Sequence, residues 1–149
     1  MIPYFLSRER QNKLWEAIVA WEGTPYRHYC NVIGKGVDCN HYVLGVYLLA
    51  GLDLKVKFEP YPPDRHLHVA QEILLEYVEA IKCLRQMPKY KPMNGDLLLY
   101  KFGLSTSHPA IYFNDHICQS IMKSGVIRIP FKEQKFFKRL THVYRPMEI

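Results

Sequence analysis

The sequence predicts an α+β fold in which N-terminal helices pack on an antiparallel β-sheet, and three observations lead there. Apolar residues recur at helical spacing through the first half, and the second half breaks into short β-rich runs separated by turn signals. The length of 149 residues suits one domain, spanning 1–149, with a core large enough to stand without disulfide or metal staples.

The first helix is expected over 7–21, where Leu14, Trp15, Ile18, Val19 and Trp21 share a helical rhythm that Gly23-Thr24-Pro25 stops. A second is expected over 39–50. Val43, Val46, Tyr47 and Ala50 fall at i, i+3, i+4 and i+7, Asp38 stands at its mouth as an N-cap, and Gly51 sits where a C-cap wants glycine. The prolines of "EPYPPDR" then forbid helix and predict an extended surface connector. Asp64 caps a long third helix marked by Leu67, Ala70, Leu74, Tyr77, Val78, Ile81 and Leu84. After "PKYKPMNGD" strands are expected over 97–102, 109–113, 117–122, 126–130 and 141–144, with Asn114-Asp115 as a two-residue hairpin turn.

Composition excludes several classes. No window approaches the ~18 apolar residues of a membrane span, and the four-residue apolar start is far short of a signal-peptide core. The chain is therefore expected to be made in the cytoplasm without a signal peptide. Cys30, Cys39, Cys83 and Cys118 form no CxxC pair, so reduced thiols are the default. The net charge of +6 favours an anionic partner, but the basic residues are dispersed. The mild cluster of Lys132, Lys135, Lys138 and Arg139 reads as a solvated face, with no nucleic-acid motif beside it. The pairs His66/His68, His28/Cys30 and Cys39/His41 lack the spacing of structural zinc sites, so neither metal nor cofactor is expected.

Cys39 carries the chemistry. As a residue type it could be a small buried hydrophobe, half of a disulfide, a metal ligand or a nucleophile; its place at the first turn of a helix favours the last, because the dipole and unpaired N–H groups stabilise a thiolate. A nucleophile needs a base and a group that orients the base. His108, in "STSHPAIYF", stands at a strand entrance after a small polar loop, and Gln119, in "HICQS", falls on the neighbouring strand, where its amide oxygen could accept the Nδ1 proton. A one-residue change in the hairpin would put Ser120 there instead.

Five segments in order, "GTPYRH" (23–28), "GVDCNHYVLGVYLLAG" (36–51), "NGDLLLY" (94–100), "SHPAIYF" (107–113) and "GVIRIPF" (125–131), resemble the motif series of the NlpC/P60 family of papain-like cell-wall cysteine peptidases. "TPYRH" is most similar to the peptidases associated with phage and prophage tails. The resemblance implies an NlpC-type fold with Cys39 as nucleophile at a helix N-terminus, His108 as base, and Gln119 in the orienting position usually held by histidine. It also implies that Tyr26 and Asp38 bind substrate or oxyanion, although Tyr26 reads equally as a core ring with a wetted hydroxyl.

The implied substrate is a peptidoglycan stem peptide, cut between D-glutamate and the diamino acid, with phage tail-tip proteins as partners and delivery to the wall in a virion tail. Asn40-His41 replaces the family's small pair after the cysteine, and Pro109 follows the base, implying a sheet edge or strand start. A catalytically silent tail component and an N-acetylmuramoyl-L-alanine amidase are the alternative functions. Tyr61 of the connector is expected to form part of a substrate wall.

Overall fold

The computed structural model describes residues 1–62 and 72–149. Helix α1 covers Arg8–Trp21, with Ser7 accepting from the Arg10 N–H as N-cap. A two-stranded ribbon, β1 (Asn31–Val32) and β2 (Gly36–Val37), leads into α2 (Cys39–Leu49), and α3 covers Ile73–Glu79. The main sheet comprises β3 (Leu84–Met87), β4 (Leu97–Phe102), β5 (Ser105–Phe113), β6 (His116–Ile121), β7 (Gly125–Pro130) and β8 (Leu140–Pro146). Its order is β3-β8-β4-β5-β6-β7, antiparallel throughout, with the short helix α4 (Gln134–Phe137) between β7 and β8.

The expected α+β arrangement is present, and so are the first two helices. Both faces of the sheet are covered. Helices α1 and α2 bury Leu14, Ile18, Trp21, Val43 and Val46 against Leu97, Leu99, Ile111 and Cys118. The opposite face packs Leu98, Tyr100, Ala110 and Ile117 on Phe131 and Phe136, so both faces are buried and Leu97 to Tyr100 reads as one apolar run rather than an alternation. Close approach of the helices depends on Gly45, where a Cβ would stand 2.6 Å from the Trp21 ring. Trp15 and Val19 of the expected apolar face are partly exposed, Trp15 stacking on Phe113.

The third helix needs correction at its C-terminal end. It stops at Glu79, and Leu84, which fits the helical rhythm by spacing alone, opens an edge strand paired with β8. Asp64, Leu67 and Ala70 lie outside the described residues. Glu72 fastens the start of α3 to the sheet by accepting the Thr106 N–H. The Asn114-Asp115 turn is as expected: both residues have positive φ, 44° and 62°, the conformation of a type I′ hairpin.

Pro109 is neither at a sheet edge nor at a strand start; it lies inside β5, opposite Leu99 of β4. Tyr112 directs both backbone groups at β4, through Asp96 O and Gly95 N, so alternation turns Pro109 toward β6. The paired positions of β5 and β6 end at Ile111 and Cys118, so the missing N–H costs the sheet no rung.

The sheet's principal buried charge is Asp96, whose carboxylate receives two hydrogen bonds of 2.9 Å from Arg145 and a third from the Met93 N–H. Asp96 is 1% exposed. Arg145→Met leaves it buried without its counter-charge, and the expected loss is about 3–5 kcal/mol of stability, read from the urea midpoint.

Candidate active site

The backbone of one residue, Val37, positions the site. Val37 N donates to Pro25 O at 3.0 Å, and Val37 O accepts from Arg27 N at 3.3 Å and from the buried Ser120 hydroxyl at 2.8 Å. The Thr24-Pro25-Tyr26 segment, β6 and the start of α2 are thereby tied together one residue before Asp38.

Asp38 is 0% exposed, and its carboxylate is surrounded by donors. Oδ1 accepts from the His41 N–H at 2.9 Å and from His41 Nδ1 at 2.8 Å; Oδ2 accepts from the Tyr29 N–H at 2.9 Å and from the Tyr61 hydroxyl. Burial alone would raise its pKa, but the bonds from His41 and Tyr61 outweigh that and hold the group below the ordinary carboxylate value. Asp38 therefore caps α2 and organises the loops around it, and the carboxylate implied as a substrate contact is enclosed by protein groups. His41, a departure from the family pattern, is the residue that completes this cap.

The connector is fastened by tyrosines. Tyr29 donates to Phe58 O, Tyr77 of α3 accepts from the Glu59 N–H at 3.1 Å, and Tyr61 donates to Asp38. Tyr61 and the other rings assemble edge to face, Phe58 and Tyr77 at 4.9 Å and Tyr29 and Tyr61 at 5.3 Å. The result is a wall over the start of α2.

Behind that wall is a cavity of about 230 Å³ whose lining includes Cys39, His108, Tyr26 and Tyr61. The structure thus brings the expected nucleophile, base and tyrosine to one space. Gln119 is 0% exposed and accepts from His108 Nε2 at 2.6 Å, while Ser120 is occupied by Val37. The contact uses Nε2 rather than Nδ1, so the lone pair belongs to Nδ1. His108 stands inside β5 rather than at its entrance, packed against Tyr100, Phe102 and Phe136. Local sequence cannot reveal these rings, since Phe136 is 28 positions away.

The thiol departs from expectation. N–H groups of Asn40 and Cys39 at the helix start do favour the thiolate, but burial, and after it the Asp38 carboxylate, prevail and push Cys39 up to about 12. Burial, then the charges of Cys39 and Asp38, likewise raise Tyr26, which stays a protonated donor. All four cysteines are free thiols. Among the described residues no three His, Cys, Asp or Glu side chains cluster to hold a metal. His66 and His68 lie outside them. No described helix is long and apolar enough to cross a membrane.

The family model for NlpC/P60 matches residues 23–145. No match is found among curated proteins. The chain superposes on a solved structure similar to a lipoprotein of the NLP/P60 family from Staphylococcus aureus, with TM-score 0.68 and 17% identity over 99% of this chain and 44% of that one. It also superposes on the NlpC/p60 domain of the peptidoglycan hydrolase SagA, at 0.60 and 16% over 89% and 96%. A third is RipD of Mycobacterium tuberculosis, a non-catalytic NlpC/p60 domain protein adapted to peptidoglycan binding, at 0.61 and 14% over 95% and 100%. At these identities the likeness is one of fold, and the chain spans less than half of the first two structures, 44% and 40%.

Asp38→Asn keeps a capping oxygen and removes the charge. Alkylation by iodoacetamide followed against pH is expected to give Cys39 an apparent pKa above that of a free cysteine, and the variant to lower it. Because Asp38 is depressed below its ordinary 3.8, its contribution to stability is complete above that value and lost as pH falls through the folded value. The wild-type minus Asp38→Asn difference in unfolding free energy should therefore shrink on acidification.

Proposed function

The chain belongs to the NlpC/P60 family, a family of peptidoglycan hydrolases with some non-catalytic members, and from that premise we propose that it is a cysteine endopeptidase acting on peptidoglycan stem peptides. The observation that carries the reading is the shared cavity of Cys39 and His108, with Gln119 bonded to the imidazole from behind. The bond proposed is that between D-glutamate and the diamino acid, and the setting a phage or prophage tail that delivers the whole chain, as one peptidase domain, to the wall. "TPYRH" supports that setting.

The chemistry follows from the groups that share the cavity. The partly buried Cys39 thiol gives its proton to His108 as attack occurs. Nδ1 accepts that proton while Sγ bonds the substrate carbonyl carbon, whose oxygen becomes an oxyanion. The Cys39 backbone N–H and the Tyr26 hydroxyl serve as its donors. The imidazolium, steadied by Gln119, then protonates the leaving amine as the C–N bond breaks. Water activated by the same nitrogen cleaves the thioester, releasing the acid and restoring the thiol.

A binding-only reading draws on the burial and the Asp38 carboxylate that disfavour a Cys39 thiolate, and RipD provides a fold precedent for such a role. Digestion of purified peptidoglycan, read by mass spectrometry, separates the two. The peptidase releases stem-peptide fragments that vanish in Cys39→Ala; fragments cut at the lactyl amide would indicate an amidase, and no fragments from several wall types would favour binding alone. His108→Ala should lower kcat by about 10²–10⁴-fold, and Gln119→Ala by less, since it removes orientation but leaves the base.

A further inference from the structure

The cavity beside Cys39 is lined by five aromatic rings, those of Tyr26, Phe58, Tyr61, Tyr77 and Phe102, and by the imidazoles of His28 and His108. Ring faces carry the negative end of the aromatic quadrupole and attract cations, most strongly where water is excluded. Ile73, Leu74 and Ile121 supply an apolar wall suited to methylenes. Among the described lining residues Glu59 is the one carboxylate, solvent-exposed and so on the open side, and neither Lys nor Arg is present.

A second source gives the same sign. After burial, the charge of Asp38 is among the causes that raise Tyr26, Tyr61 and Cys39, so its negative potential reaches three groups of this cavity. At about 230 Å³ the space falls below the ~300–1,000 Å³ of sites for drug-sized ligands, so a short peptide segment with one side chain fits it better than a larger ligand.

We propose that the part of this cavity bounded by Phe58, Tyr61 and Tyr77 is a subsite for an alkyl-ammonium group, a lysine-type side chain on the diamino acid of the substrate peptide. Phe58, Tyr61 and Tyr77 surround its stem and head, and Glu59 is the counter-charge. A diaminopimelate side chain carries a carboxylate beside its amine and meets the same field with one charge of the wrong sign. The assignment rests on the peptidase reading for the identity of the peptide, and on the cavity alone for the sign and shape of the group.

The test uses the full chain carrying Cys39→Ala, so that bound peptide is not consumed. Three N-acetylated γ-D-glutamyl peptides, which lack a competing terminal amine, are titrated by calorimetry: one ending in L-lysine, one in ε-N-acetyl-lysine and one in meso-diaminopimelate. The lysine peptide is expected to bind about tenfold more tightly than either of the others. Glu59→Gln in the same background narrows the difference to a few fold. Equal binding, a preference for diaminopimelate, or no binding by any peptide overturns the subsite. Hydrolysis of the same peptides by the unmodified protein keeps the two ideas apart. Turnover without binding preference removes the subsite and leaves the peptidase; preference without turnover does the reverse.

Discussion

The buried carboxylate of Asp38 is the constraint on which the rest of the site depends. An ionised group fully removed from water is tolerable only when donors replace its hydration. Here the donors come from three separate places in the chain: the helix that it caps, the loop at Tyr29, and the connector at Tyr61. Satisfying one charge therefore fixes three segments at once. The connector becomes a wall over the helix start, and the cavity exists because that wall is held away from β5 and β6.

The same charge sets the chemical character of the thiol. A helix N-terminus alone would make Cys39 a ready nucleophile, yet desolvation and a carboxylate one residue away outweigh the contribution of the N–H groups. These surroundings disfavour a thiolate at Cys39. Gln119, a neutral amide, orients the imidazole without placing another negative charge beside the sulfur.

How much could be read beforehand depended on how local each cause is. Helices α1 and α2 were legible because caps, apolar spacing and stop signals lie within a few residues of one another. The 114–115 hairpin was legible for the same reason. Leu84 misled because one apolar residue at helical spacing also suits an edge strand, and only pairing with β8 decides. Ser105 and Thr106, too polar to suggest a strand, are held in β5 by β4. Cys39, His108 and Gln119 could be named from their motifs, but the ring nitrogen that Gln119 contacts and the enclosure of Asp38 depend on packing between distant segments.

The backbone of Val37 bears on how such a chain can diverge. Its carbonyl serves two partners and its N–H a third, and the cap and the thiol follow immediately after it. Insertions between 37 and 39 would break several long-range bonds together, whereas the exposed turn at 33–35 carries only local ones and one bond to Thr24. Sequence drift and length variation should thus accumulate in the ribbon turn and bypass the helix start. A lineage can change most of its residues while this short stretch keeps the fold's geometry in register.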